Sequence, residues 1–290
     1  MCSTGENLGS SCINLTFISG WEKNVTMSKM QHFQTFVFLD LETTGICGDR
    51  PRLTEMCLAS VHRFSLENST QSIGNRGKAG HVYPRVMDKL CLCVNPNKLV
   101  SQKAFDLSGL SNENLTENCK SGFDQTTVTL LRSFLERQAP PVCLVAHNGF
   151  KFDFPLLRTE LTRQEADLPD NVFCADSYQA LRQILEGIEN PRFQRIKGGY
   201  SLSELYKRFH GVYPLNAHCA EADVLTLISV FLSHVTELLN WADLYAKPWK
   251  EITPMYKPSP SKNLHQSQLE RYPSKQRSKA IRSSQSLGLV

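Results

Sequence analysis

Phe33-Gln-Thr-Phe-Val-Phe-Leu-Asp-Leu-Glu-Thr-Thr-Gly45 is the stretch whose reading decides the fold. Its first half, Phe33 to Leu39, reads as a buried strand. Asp40 and Glu42 then stand at the strand's C-terminal end, two residues apart and so on one face. Like charges held that close repel unless a cation sits between them. An oxygen-only donor pair suits hard cations, Mg²⁺ or Mn²⁺. A lone D-x-E is more often a helix cap or a solvated strand end, but here the pair has company.

A second apolar strand, Val142 to Ala146, runs into the turn His147-Asn148-Gly149 and then Phe152-Asp-Phe-Pro-Leu-Leu157. The latter reads as the first turn of a helix, where Pro155 is tolerated because first-turn amides lack an intrahelical partner. Asp153 alone would read as an N-cap carboxylate; near a strand end that already holds two acids, it completes a metal site. His218 and Asp223 follow in His218-Cys-Ala-Glu-Ala-Asp223, and Cys219 to Phe231 has helical apolar spacing. A five-residue offset on a helix turns ~500° and leaves two side chains ~140° apart. The two converge only if His218 lies on the loop before the helix and Asp223 projects from its second turn. That arrangement suits a mobile general base beside a fixed metal ligand; alone, His218 reads as an ordinary loop histidine.

Asp40, Glu42, Asp153, His218 and Asp223 resemble, in order and local spacing, the signature of the DEDDh 3′→5′ exonucleases. Pro84-Arg-Val-Met-Asp-Lys-Leu-Cys-Leu-Cys-Val94, Cys143-Leu-Val-Ala-His-Asn-Gly149, Asp153-Phe-Pro-Leu-Leu157 and Tyr200-Ser-Leu202 are similar to the TREX family of three-prime repair exonucleases, over about residues 31 to 250. The resemblance implies an α/β, ribonuclease H-like fold with a mixed central sheet flanked by helices. It implies metal-dependent 3′→5′ hydrolysis of single-stranded or frayed DNA to nucleoside monophosphates. Two Mg²⁺ ions, with Mn²⁺ as a substitute, would be held by Asp40, Glu42, Asp153 and Asp223, Asp40 bridging, with His218 as general base. Contacts to the 3′ end would come from Glu42, Ile46, Leu107, Phe152 and His218. For Leu107 core packing is an equal reading. The resemblance also implies a homodimer in which Arg137 reaches across the interface; capping its own helix is the alternative, since cations favour helix C-termini. One family member has a proline-rich insertion where this chain has Gly77-Lys-Ala-Gly-His-Val-Tyr83, and a C-terminal hydrophobic anchor that has no counterpart here. No membrane anchor is therefore expected.

Length and charge bound the rest. The 290 residues hold no apolar run near the ~18 that a membrane helix needs, and Met1 to Gly20 lacks a basic n-region. A soluble, intracellular protein of nucleus or cytoplasm is expected. The net charge is +4, but Lys247 to Val290 carries nine Lys/Arg and two acids, so the tail holds +7 and the remainder −3. Whole-chain basicity is thus no argument that the core binds nucleic acid. The tail reads as solvated, with weak phosphate affinity. Ten cysteines include no Cys-x-x-Cys, which gives a zinc ribbon no support and makes buried free thiols the plain reading.

The pattern divides the chain into a disordered leader at 1–31, an exonuclease domain at 32–246 and a basic disordered tail at 247–290. Strands are expected at Phe33–Leu39, Glu55–Phe64, Lys89–Val94, Val142–Ala146 and Asn171–Cys174. Helices are expected at Ser111–Glu117, Phe123–Arg137, Phe154–Arg163, Ser177–Glu186, Leu202–His210, Ala220–Leu232 and about Thr236–Tyr245. Ser65 to His81 reads as a surface loop. Arg192-Phe-Gln-Arg-Ile-Lys-Gly-Gly199 interleaves cations, an aromatic and two glycines. Arg192, Arg195 and Lys197 make it a candidate DNA-gripping loop, or a merely solvated one. An RNA-directed DEDDh exonuclease and a nucleic-acid-binding proofreading or scaffold subunit stay open as alternatives. The scaffold would have lost part of the five-residue set, which is complete here.

Overall fold

The computed structural model describes residues 31–69, 83–187 and 199–258. Six strands form one mixed sheet: β1 (Thr35–Thr43), β2 (Leu53–His62), β3 (Asp88–Cys93), β4 (Val142–Ala146), β5 (Val172–Asp176) and β6 (Lys247–Pro248), in the spatial order β3-β2-β1-β4-β5-β6. β1 pairs antiparallel with β2 and parallel with β4. β2–β3 and β5–β6 are antiparallel, and β4–β5 is parallel.

The period-two alternation of β1 assigns its faces. Phe36 and Phe38 join one apolar cluster, with Val224, Leu227, Phe231 and Trp241. These belong to α8 (Ala220–Leu232) and α9 (Val235–Tyr245). Val37, Leu39 and Leu41 join the other, with Leu131, Leu135, Phe154 and Leu157 from α4 (Gln125–Glu136) and α5 (Asp153–Arg163). A strand covered on both faces reads as a near-continuous apolar run, which is why Phe33 to Leu39 is so legible. Val128, Leu131, Phe134 and Leu135 recur at helical core spacing along α4 and are all buried. α6 (Ser177–Gly187) and α7 (Leu202–His210) complete this layer arrangement, the expected α/β sandwich.

The structure corrects several expectations. β1 does not stop at Leu39: it runs to Thr43, so Asp40 and Glu42 lie inside the ladder, opposite Cys57 and Glu55. The register shifts between Glu42 and Thr43, a bulge of the kind that re-aims a strand end. The loop expected from Ser65 begins as helix α1 (Arg63–Asn68). Arg63 is buried there by two hydrogen bonds to Asp243 on α9, at 3.0 and 2.7 Å, which offset the cost of desolvating the charges. Residues 70–82 lie outside the described residues. Helix α2 (Gln102–Ser108) was not expected, though its punctuation is present: the Ser101 hydroxyl accepts from the Ala104 amide and Gly109 closes the helix at φ 71°. α3 (Asn112–Glu117) follows with a full capping box.

A tail beginning at 247 is also too early. β6 adds to the sheet, Trp249 is 2% exposed, and the Met255 amide bonds to Pro155 O at 2.9 Å. The leader before Gln31 and the chain after Pro258 lie outside the described residues. Cys57, Cys91, Cys93, Cys119, Cys143, Cys174 and Cys219 are free thiols, but of these only Cys57, Cys143 and Cys174 are buried; Cys91 is exposed on the edge strand β3. No single helix among the described residues is long and apolar enough to cross a membrane.

Candidate active site

On the α8 face, the sequence of β1 swaps Phe36 and Phe38 for Asp40 and Glu42 where the cover of α8 ends. The acidic pair therefore stands beside the start of α8, with Glu42 offering a ligand atom within 4.8 Å of His218 and Asp223. Asp153 enters from the opposite side. It is the first residue of α5, whose N-cap Phe152 makes no side-chain cap. The N-cap reading of Asp153 thus fails: Phe152 holds the cap position and Asp153 is the first helical residue, where its own amide and that of Leu41 on β1 pull its carboxyl back toward the ordinary range. Beyond Phe38 the β1 edge has no β4 partner.

His218 and Asp223 arrive as the spacing requires. His218 is on the loop before α8, in the left-handed region at φ 68°. Asp223 projects from the first turn of α8, one turn earlier than expected, and its Oδ2 accepts from the His218 amide at 2.8 Å. Ligand atoms of Glu42, His218 and Asp223 lie within 4.8 Å of one another. Asp153 is 5% exposed, Asp40, Glu42 and Asp223 are half-buried, and His218 is exposed. The result is a carboxylate cluster with one buried member, three half-buried ones and an exposed histidine beside them.

The electrostatics are those of anions without a counter-charge. Burial, then repulsion from Asp153, Asp223 and Glu42, holds the Asp40 carboxyl well above its ordinary range. Burial, then Asp223 and Glu55, pushes Glu42 up to about 8. Burial raises Asp153 to about 8 against the pull of its two amide donors, with Asp176 adding repulsion. Burial also raises Asp223, offset by the His218 amide. Four oxygen donors that resist ionising together fit a hard divalent cation, which would reverse the sign of every one of these effects.

Four residues to which the sequence assigned no supporting role hold the site together. Asp176, at the end of β5, accepts from the amides of Asn148 (2.9 Å), Phe150 (3.2 Å) and Tyr178 (3.0 Å). It thereby pins the turn that delivers Asp153. Gly149 is required in that turn: a Cβ would meet Ala146 Cβ at 2.6 Å and the Phe154 ring at 2.7 Å. His147 bridges Ser177 Oγ (2.9 Å) and Tyr200 O (2.8 Å), and burial lowers it to about 4, so it is a neutral strut. Glu55 faces Glu42 across the ladder. Strand-end position flags Asp176 in Cys174-Ala-Asp-Ser177; Glu55, set within an apolar strand, carries no such flag.

The remaining expected residues divide. Ile46 is 62% exposed and Leu107 48% exposed, so core packing does not account for Leu107. Their segments are tied together where the Ser101 amide bonds to Thr44 O at 2.9 Å. Phe152 precedes Asp153 and is half-buried against the core. Arg137 is the C-cap of α4, away from the acidic cluster, with its Nε 3.5 Å from Asp88 on the edge strand β3. Pro140-Pro141 leads into the internal strand β4. Arg192, Arg195 and Lys197 lie outside the described residues.

No family model matches the chain. The nuclease domain of 3′hExo, a DEDDh family member bound to rAMP, superposes with a TM-score of 0.53 at 10% identity, over 74% of this chain and 97% of that one. Exonuclease I of E. coli, in a zinc-bound complex with single-stranded DNA, superposes with a TM-score of 0.52 at 16% identity, over 72% of this chain. This chain spans less than half of that enzyme, 42% of it. Both likenesses concern the fold, which is that of the DEDDh exonucleases. Three prime repair exonuclease 2 of Homo sapiens is 45% identical over 238 residues, covering 82% of this chain and 99% of that protein. With that identity and coverage over a sheet end bearing this acidic set, the chain belongs to the three prime repair exonuclease family.

Proposed function

We propose that the chain hydrolyses DNA from the 3′ end, one nucleotide at a time, using Asp40, Glu42, Asp153 and Asp223 to hold two Mg²⁺ ions and His218 as general base. Family membership makes it a 3′→5′ exonuclease that depends on divalent metal. The two ions, the identity of Mg²⁺, the residue roles and the preference for single-stranded or frayed ends are our reading. The observation that carries it is the convergence of four mutually repelling carboxylates and an exposed histidine at one end of the sheet.

When bound, divalent ions neutralise charge on the scissile phosphate and make water more acidic. The protein's own groups do the rest. His218, on an exposed loop and tethered only through its backbone to Asp223, is free to turn its imidazole toward the water and take the proton. Asp153, buried at the start of α5, would hold its ion from that side of the site. Ile46 and Leu107 present exposed apolar surface on two linked segments. With Phe152 they would stack on or wedge beside the last bases, contacts worth ~1–3 kcal/mol per base and tolerant of sequence. Arg192, Arg195 and Lys197 would grip the strand's phosphates.

We further propose a homodimer that joins through β3, a free edge of the sheet, with Arg137 beside it through Asp88. Sedimentation at micromolar concentration should give a dimer that Arg137→Ala weakens. A monomeric wild type would end that assignment. The function itself is tested with purified protein and Mg²⁺ on 5′-labelled single-stranded DNA, duplex DNA and RNA. Stepwise shortening of the DNA is expected, abolished by EDTA. Activity that survives EDTA, or that acts on RNA alone, would overturn it.

A further inference from the structure

Glu55 lies outside the five-residue set, yet three of the four carboxylates feel it. It stands on β2 directly opposite Glu42, and its charge adds to the repulsion that raises Asp40, Glu42 and Asp223. A fifth carboxylate at this spot works against three of the other four, so its value must lie in a contact. That contact is to α8: Glu55 Oε2 accepts from the Ala220 amide at 2.9 Å. Ala220 is the first residue of α8, and the N-cap residue Cys219 makes no side-chain cap. A first-turn amide has no intrahelical partner; here the sheet supplies one, as an anion at the positive end of the helix. The other oxygen, Oε1, receives the Cys93 thiol of β3 at 3.9 Å, so the carboxylate is held between two elements.

What the cap fixes is the catalytic pair. Ala220 is two residues after His218 and three before Asp223. His218 sits at φ 68°, a conformation that a non-glycine residue keeps only when its surroundings over-determine it. Asp223 holds its amide from one side, and Glu55 holds the chain two residues on. We propose that Glu55 is a positioning residue: it caps α8 from β2 and so sets His218 and Asp223 against Asp40 and Glu42.

This rests on the exonuclease reading above, and the test separates the two. In full-length protein, Glu55→Ala and Glu55→Gln are compared with wild type, each also in a His218→Ala background. Wild-type hydrolysis tests the reading; the variants are scored against it. Glu55→Ala should lower kcat ~10–100-fold, as loss of a supporting contact around a metal site does, with KM nearly unchanged. Glu55→Gln keeps an oxygen for the Ala220 amide and should recover most of the loss. In the His218→Ala background Glu55→Ala should cost far less, because residues that act through one another are not additive. Hydrogen exchange at Ala220, read without any activity, should quicken in Glu55→Ala and not in Glu55→Gln. If Glu55→Ala does not fold, Glu55→Asp, too short to reach Ala220, takes its place with the same expectations. Full activity in Glu55→Ala, a Gln variant as impaired as Ala, an undiminished cost without His218, or unchanged exchange at Ala220 would each overturn the proposal.

Discussion

The His218 amide donates to Asp223 Oδ2 across 2.8 Å. The backbone of the proposed base is therefore fastened to a proposed metal-holding carboxylate, while its imidazole stays exposed. The five-residue spacing that cannot converge on a helix converges here because His218 stands on the loop before α8, which brings its ring within 4.8 Å of the Asp223 carboxylate.

Asp223→Asn separates charge from shape. The amide oxygen can still accept from His218 and the helix is undisturbed, but one anionic donor is gone. Turnover should fall by roughly 10³-fold or more, a loss on the order of 4 kcal/mol in transition-state stabilisation. Strand binding, followed by fluorescence anisotropy, should largely persist. Circular dichroism that shows an unfolded variant would make Asp223 a structural residue instead.

His218→Ala should lower kcat by roughly 10²–10⁴-fold, the usual contribution of a general base. Metal affinity by titration calorimetry should stay close to wild type, because the four carboxylates remain. A matching drop in metal affinity would make His218 a ligand.

The acidic cluster fixes a pH dependence. Glu42 is raised from 4.5 to about 8 and Asp153 from 3.8 to about 8. Both folded values exceed the unfolded ones, so between those limits the folded state binds more protons. The stability these groups contribute is present below about pH 4 and is lost as pH rises through about 8. A divalent cation replaces the protons. Mg²⁺ or Mn²⁺ should therefore raise Tm more at pH 8 than at pH 5.5 in differential scanning fluorimetry. Equal shifts at both pH values would show that the ion binds elsewhere.

Much of this was legible in the chain because each feature leaves a local trace. The run from Phe33 to Leu39, the core spacing of Val128, Leu131, Phe134 and Leu135, and the order of the five site residues all survive in the structure. What escaped was non-local. Arg63 extends helix against a loop-rich sequence because Asp243, 180 residues away, pairs with it. Glu55 and Asp176 reveal their roles only through the amides they meet, of Ala220 and of Asn148. The two-residue strand β6 is too short for any periodicity and exists only because β5 offers an edge.

That last point gives a sharp test of the domain boundary. Truncation after Ala246 removes Trp249, whose indole bonds to Asp167 at 2.6 Å and stacks under Arg158 at 5.3 Å. It also removes Ile252, which is 7% exposed. Losing one buried Trp costs ~3–5 kcal/mol. At about 2–4 °C per kcal/mol for a domain of this size, Tm should drop by roughly 10 °C or more. Truncation after Pro258 removes six Lys/Arg and one acid and none of these contacts. Tm and kcat should stay close to those of the full chain, while DNA binding becomes less sensitive to salt because fewer cations displace counterions. Scanning calorimetry and binding at several salt concentrations read both arms. A Pro258 truncation that loses activity at low salt would place the last residues inside the enzyme; an Ala246 truncation with unchanged Tm would return the boundary to 247.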